Sequence, residues 1–430
     1  MRKFPLALLA SVGGIALTAA SALAQDSGPL LDMLVKKGLI NDQEAEEVRA
    51  DLTKDFASSP AGKLNLGSHI TEFKLGGDVR LRHQIETQRA QGSTTWADQT
   101  RERFRFRLNG DVLMQKGWSA GFALETASAA DSGNETFTNG NSDYGIYLAR
   151  AFVAWQPNNN WKFVAGKQRN PLYTTDLVWD ADINPQGLAE IYSYSLGGSD
   201  SIEFRSMQLI MGDNKESLLG NKGNDSWLFA QQVVFTKALG TAKLVLAPGF
   251  MTYGKSDLTL ADKSNETQFN GTTNGLSLVT FAGEVGFANV VSAGNGVKLY
   301  WDSSYNTDAN KRVHQVYGLP AATSSDALAW LVGVGYNHGT GKLAGDYGVK
   351  LDYRRLGIGA IDPNLSDSDF AFGNLNQTGF KLGGSYNLTD FASLNLAYFY
   401  TTDIRETLKQ SQVAKLDASR ILQVDLVVKF

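Results

Sequence analysis

The chain of 430 residues contains no cysteine, so disulfide frameworks, cysteine-ligated zinc and thiol nucleophiles are excluded. That absence suits an exported chain, which crosses an oxidising compartment before it folds. Histidine is scarce. The four, at 69, 83, 314 and 338, are not paired at metal-ligand spacing, and no metal site is expected. Neither sign of charge prevails, and a formal net charge of −4 argues against a nucleic-acid partner, which would want a basic face. Beyond the N-terminus no apolar run reaches the ~20 residues of a membrane-spanning helix, and mean hydropathy is below zero. No G-x-S-x-G elbow or nucleotide-binding glycine loop stands between a strand and a helix pattern, so no catalytic residue and no cofactor is assigned. Proline is low at 9 and glycine high at 44. Together these features fit an all-β chain whose strands face lipid on one side and a polar lumen on the other.

Residues 1–24 have the plan of a signal peptide. Arg2 and Lys3 precede an apolar stretch over 6–20, and Ala22-Leu23-Ala24 offers a cleavage site, so the mature chain is expected to begin at Gln25. Two short helices follow within 25–57. Leu30, Leu31, Leu34 and Val35 share a face of the first, which Gly38 ends. Asn41 and Glu44 stand at capping-box spacing at the start of the second, with Ala45, Val48, Leu52 and Phe56 as its stripe. The pair folds on itself or on the barrel mouth, or serves periplasmic oligomerisation. Residues 58–71 form a linker, with Ser58-Ser59-Pro60-Ala61-Gly62 as its flexible part.

From residue 72 to 430 the pattern is period two. Phe73, Leu75, Val79, Leu81 and Ile85 make one face of a first strand, and Phe104, Phe106, Leu108 and Val112 one face of a second. A long polar connection, about 88–100, separates them, and the next connection, 114–117, is short. Strands are expected over 118–126, 144–155 and 161 to about 169. The rhythm persists, with tight turns at 157–160, 237–240, 338–341 and 387–390 and long polar connections at 255–274, 307–326, 357–374 and 403–417. Short turns on one side and long loops on the other characterise transmembrane barrels. An even count keeps both ends on one side. A strand over 188–196, closed by Gly197-Gly198-Ser199-Asp200, brings the total to sixteen antiparallel strands. Trp118, Trp155, Trp161, Phe235, Phe391 and Phe430 abut the short-turn side, as an interfacial girdle or as ordinary turn-flanking aromatics.

The last strand runs to the final atom. Leu422, Val424, Leu426, Val428 and Phe430 share one apolar face. With the signal peptide, the helical segment, the sixteen strands and the long fifth connection, this ending resembles a Gram-negative outer-membrane porin. The family it suggests is that called putative porins, distantly similar to phosphate-selective porins. The resemblance spans essentially the whole mature chain. It implies a multi-pass barrel in outer-membrane lipid, a terminal Phe430 that takes part in assembly and barrel closure, a homotrimer, and no enzyme activity.

The polar faces carry the functional expectation. Strand one presents Lys74, Asp78, Arg80 and Arg82, and strand two presents Arg103, Arg105, Arg107, Asn109 and Asp111. With the apolar faces in lipid, all of these point into the lumen. A hairpin closed near Arg89 and Arg101 would set Arg80 opposite Arg107 and Arg82 opposite Arg105. Like charges in direct register repel by up to ~1 kcal/mol. The wall Arg80, Arg82, Arg103, Arg105, Arg107 therefore lines a conducting path or ties down a folded-in loop, and the two roles are compatible. The connection 170–187 has no Lys or Arg and carries Asp176, Asp180 and Asp182. The resemblance makes it the constriction loop. It lacks the Pro-Glu-Phe-Gly-Gly stretch of general porins and the basic groups of phosphate-selective ones, and a solvated outer loop is the alternative. The expected function is passive diffusion of small hydrophilic solutes or ions through a charged, water-filled constriction. Alternatives are a substrate- or anion-specific porin, an outer-membrane barrel enzyme, and a structural anchor.

Overall fold

A computed structural model describes residues 28–58, 66–129, 131–138, 140, 143–212, 225–254, 274–290, 292–405 and 416–430. The expected signal peptide 1–24 with its cleavage at Gln25, the linker residues 59–62 and the connections 255–273 and 406–415 lie outside the described residues.

Residues 1–67 and 68–430 are separate units. In the first, α1 (Gly28–Lys36) and α2 (Asp42–Ser58) are joined through Gly38, whose φ of +67° suits a residue without a Cβ. The capping box forms reciprocally. The Asn41 N–H donates to Glu44 Oε2 and the Glu44 N–H to Asn41 Oδ1, each at 2.8 Å. Leu31 and Ala45 are buried, and Arg49 of α2 reaches Asp32 of α1 at 2.5 Å.

The second unit is a closed antiparallel sheet. It comprises β1 (Ile70–Ala90), β2 (Ala97–Met114), β3 (Trp118–Thr126), the two-residue segment β4 (Glu135–Thr136), β5 (Ile146–Trp155), β6 (Trp161–Lys167), β7 (Gln186–Gly197), β8 (Asp200–Gly212) and β9 (Ser226–Leu239). It continues through β10 (Ala242–Gly254), β11 (Ser277–Ala288), β12 (Gly296–Asn306), β13 (Leu328–His338), β14 (Tyr347–Leu356), β15 (Gln377–Asn387), β16 (Ala392–Asp403) and β17 (Leu416–Lys429). Leaving aside β4, which only clips a loop onto β2, sixteen strands pair with their sequence neighbours, and β1 pairs with β17 to close the ring. The expected strand over 188–196 is β7.

Alternation fixes which side chains face out. Leu75, Val79, Leu81 and Ile85 of β1 are exposed, whereas Asp78, Arg82, Gln84 and Glu86 between them are buried. A closed sheet leaves no unpaired edge, so its backbone groups are satisfied inside a membrane. Phe430 completes the closure. Its N–H donates to the Gly77 carbonyl at 3.1 Å and its carbonyl accepts from the Gly77 N–H at 2.8 Å. Its ring stacks on Phe106 with centroids 6.3 Å apart and lies where a Cβ on Gly77 would have to go. Along the short-turn end the exposed Trp118, Trp155 and Trp161 form one stack, Trp118 to Trp155 at 5.6 Å, Trp155 to Phe163 at 5.9 Å and Phe163 to Trp161 at 5.5 Å.

Two expectations are corrected here. The connection between β1 and β2 is short, 91–96, because both strands run on through the polar stretch. Ser93 N–H closes a turn onto the Ala90 carbonyl and Gly92 takes φ +76°, which centres the hairpin one residue earlier than polarity suggests. The register moves by two, so that Arg80 faces Arg105, Arg82 faces Arg103, and Asp78 faces Arg107. The connection after β14, expected as a polar outer loop, is buried almost throughout 356–377. Ile358, Ile361, Leu365, Phe370 and Leu375 are each at most 2 % exposed, packed inside the barrel in its main apolar cluster.

Candidate functional site: a charged constriction

Two loops that reach into the lumen carry acids and no cation of their own beyond Arg169. Loop A is 168–185, between β6 and β7, and loop B is 357–376, between β14 and β15. Both are threaded with apolar residues. Leu177, Val178, Trp179 and Ile183 of loop A pack with Leu365 and Phe370 of loop B. The cluster also includes inward residues of the wall such as Met207, Leu228, Met251 and Leu331. Each such side chain contributes roughly 1.5–3 kcal/mol on burial. The loops are tied by backbone bonds, Asp180 N–H to the Leu365 carbonyl at 2.6 Å and Asp367 N–H to the Asp176 carbonyl at 3.0 Å. Loop A is further held by Asp302 of β12, which accepts from the Thr175 N–H at 2.8 Å and hydroxyl at 3.0 Å.

Against these loops stands the arginine wall, which carboxylates of β1 and of the last strand neutralise. Asp425 of β17 takes a bidentate bond from Arg82, at 2.7 and 2.9 Å, and lies 3.9 Å from Arg80. Asp78 accepts from Arg105 and Arg107, each at 2.8 Å. Glu86 pairs with Arg101. Arg80 donates to Asn134 Oδ1 at 2.5 Å, and Arg103 to the Asn134 carbonyl at 3.3 Å. Bidentate carboxylate pairs are geometrically demanding, so these guanidinium groups are fixed rather than mobile.

The three aspartates of loop A part company. Asp182 approaches the expected wall, 3.7 Å from Arg107. Asp176 turns to a different cationic group, 3.2 Å from Lys381 of β15 and 3.9 Å from Arg354 of β14. Burial alone would raise its pKa, but Lys381 and Arg354 outweigh that and hold it at about 2. Asp180 has no cation within 4 Å among the described residues. Burial, then Asp367, Asp182 and Asp176, push its carboxyl up to about 9 against the Asp182 N–H that bonds it. Loop B brings Asp367, 2.9 Å from Arg354 and 3.3 Å from Lys381, and Asp369, 3.7 Å from Arg82.

A cavity of about 560 Å³ on the loop side is lined by Arg80, Arg82 and Arg103 of the arginine wall, with Arg101, and by the acids of both loops; Arg105 and Arg107 do not line it. A second, of about 620 Å³, is lined by Lys298, Lys350 and Asp352 among others. The two share only Arg82, Asp176, Asp369 and Lys381. Two cations and two carboxylates thus stand where one chamber gives way to the other, and opposed fixed charges in a confined gap set up a field across it.

Sequence reasoning missed Arg354, Lys381, Asp367, Asp369 and Asp425. Asp425 lay in plain view on the polar face of the last strand, and loop B shares the absence of Lys and Arg that singled out loop A. No group of three His, Asp or Glu side chains among the described residues is placed to hold a metal ion.

No curated protein matches the chain. Among solved structures, a porin refined at 1.8 Å is 16% identical, with 84% of this chain and 100% of that one covered and a TM-score of 0.39. Salmonella typhi OmpF in complex with daunomycin is 10% identical over 85% and 100%, with a TM-score of 0.47. Pseudomonas putida OprB at high pH is 10% identical over 83% and 94%, with a TM-score of 0.49. The sequence family described as "Putative porin" matches residues 83–255 and 245–430. With a closed sixteen-stranded barrel and a family match over most of its length, this chain belongs to that porin family.

Proposed function

We propose that the protein is an outer-membrane channel for passive diffusion of small hydrophilic solutes and ions, selected by charge at the constriction. The observation that carries this reading is the meeting of two polar chambers at Arg82, Asp176, Asp369 and Lys381. Arg80, Arg82, Arg103, Arg105 and Arg107 form one wall of the path, and Asp176, Asp180 and Asp182 contribute to the other with Asp367 and Asp369. A solute crossing the gap exchanges water for these groups, and polar solutes do so at lower cost than apolar ones of equal size. The near balance of charge, five cations and four carboxylates around the second chamber, supports a general channel over an anion-specific one. The chain reaches the outer membrane through a signal peptide removed after 24 and works there as a homo-oligomer, a trimer by family resemblance.

The test is conductance in a planar bilayer with reversal potentials in a salt gradient. Asp176→Asn with Asp182→Asn moves selectivity toward anions, and Arg80→Gln, Arg82→Gln and Arg105→Gln together move it toward cations. Both shifts grow at 0.01 M salt, where the screening length is ~30 Å. A folded barrel, verified by heat-modifiable migration, that does not conduct refutes the channel. Unchanged reversal potentials in both variants refute the site.

A further inference from the structure

Across β10 to β15 the inner wall carries a rung in which lysine and glycine alternate. Cross-strand register sets Lys243, Gly286, Lys298, Gly335, Lys350 and Gly383 side by side. The glycines keep the lysines two strands apart, roughly 10 Å, out of the direct register in which like charges repel. Gly383 also shapes its neighbour. A Cβ there would come within 2.8 Å of Lys350 Cε and 2.9 Å of its Cγ, so the stem of Lys350 lies across β15. The next rung toward the short turns is neutral up to Asp425, with Asn337, Gly348, Ser385 and Asn395 in register. Lys350 and these three polar side chains line the same second chamber.

Five cations line that chamber, and four of them are engaged. Asp425 holds Arg82, and Asp352 and Asp367 hold Arg354. Lys381 meets Asp176 and Asp367, and Lys298 lies 3.0 Å from Glu284. Lys350, exposed to the chamber, has no carboxylate within 4 Å among the described residues. The acid beside it on the same face of β14 is Asp352, and both of its oxygens are taken. One accepts from Arg354 at 2.7 Å and the other from the Tyr300 hydroxyl at 3.1 Å. Tyr300 reaches that position across Gly333, where a Cβ would meet its ring. One ammonium thus stands in the lumen with its stem laid on the wall and its counter-ion still to come. A single uncompensated charge matches a monoanion, whereas a dianion would bring one charge too many. The amide and hydroxyl groups beside it both donate and accept, which suits a hydroxylated carbon skeleton.

We propose that Lys350, with Asn337, Ser385 and Asn395 of the adjoining rung, is a subsite for small hydroxylated monocarboxylates. The inference rests on the channel reading above and deepens it by naming a solute class. The chamber keeps the charge balance of a general channel, with one cation left for the solute.

The probe is sodium gluconate. Saturation-transfer NMR on the folded protein in detergent reads its binding without flow. Saturable binding is expected, weakened at least tenfold by Lys350→Met and kept within threefold by Lys350→Arg. Gly383→Ala alters no charge but displaces the Lys350 stem, and it weakens binding severalfold. Lys243→Met removes a lysine of the same rung outside the chamber and leaves binding unchanged. Sorbitol gives no saturable signal, and inorganic phosphate at pH 8 does not displace gluconate at equal concentration. In a planar bilayer gluconate interrupts the chloride current of the wild type, and Lys350→Met removes those interruptions. Equal losses from Lys243→Met and Lys350→Met would mean that lumen charge alone attracts the anion, and would overturn the subsite. Displacement by equal phosphate would overturn the monocarboxylate, and no saturable signal from folded wild type would overturn both. A wild type that conducts without binding gluconate refutes the subsite and leaves the channel standing. One that binds gluconate without conducting refutes the channel and leaves the subsite.

Discussion

The two sides of the barrel interior use the same alternation for opposite ends. On β1, β2 and β17 the inward Arg80, Arg82, Gln84, Arg103, Gln423 and Asp425 face a chamber, with Asp78 and Arg105 buried beside them. On β7 to β13 many are apolar, including Ala189, Met207, Leu228, Ala230, Met251 and Leu331, and they are sealed under loops A and B. Inward is therefore not the same as wet. An apolar stretch of inner wall recruits a loop to cover it, because leaving it against lumen water forfeits the burial energy. The acids of that loop are then delivered toward the polar wall. If the proposed selectivity resides here, it shares one arrangement with the packing, and separating the halves should separate the two properties.

The largest expected effect comes from loosening the dry side. Phe370 is 1 % exposed, with the Arg354 guanidinium 5.2 Å from its ring centre. Phe370→Ala removes about 3–5 kcal/mol of packing and frees loop B with the loop A segment tied to it. Single-channel recordings should show higher, noisier conductance and weakened selectivity. Unchanged traces would mean that the loops do not limit flow. A smaller effect follows from the wet side. Arg82→Gln, which leaves Asp425 and Asp369 without their shared partner, should shift the reversal potential toward cations with conductance changed less than twofold, since no packing is lost.

The smallest effect is in pH. Asp180, with its carboxyl pushed up to about 9, is protonated at neutrality. Raising pH from 7 to above 9 adds one negative charge at the constriction and moves the reversal potential toward cations. Asp180→Asn should abolish that step. Because the folded chain holds this proton more tightly than the unfolded one, its contribution to stability is greatest below about 4 and falls as pH rises to about 9. Denaturation midpoints of wild type and Asp180→Asn should diverge in that sense.

Much of the fold is legible in residues whose environment is set by period alone. Leu75, Val79 and Leu81 announce a lipid face whatever the rest of the chain does, and turn chemistry at 157–160 or 198–199 marks the short side. Register is less legible, because it depends on where the β1–β2 hairpin turns, and Gly92 rather than the surrounding polarity decides that. Loop B was hidden by its Asp, Asn and Gly residues, which make it look like a surface loop. Ile358, Ile361, Leu365, Phe370 and Leu375, spaced through it, are the sign that it cannot stay in water. The partners of Asp176 were beyond reach, because Lys381 lies 205 positions away and only the closing of the ring brings them together.

The like-charged register of the first hairpin has a consequence for biogenesis. Arg80 faces Arg105 and Arg82 faces Arg103; Asp78 of the hairpin itself takes Arg105, but the carboxylate that takes Arg82 and stands nearest Arg80 is Asp425, on the closing strand. The opening hairpin is therefore only partly compensated by Asp78 and Glu86, and an intermediate lacking the C-terminal strand leaves Arg80 and Arg82 without Asp425 at its seam. Relief arrives in the same event that pairs β1 with β17 and seats Phe430 over Gly77. The chain gains little by inserting piecemeal and gains most when its two ends meet, so partly made barrels are discouraged by electrostatics that the finished barrel no longer displays.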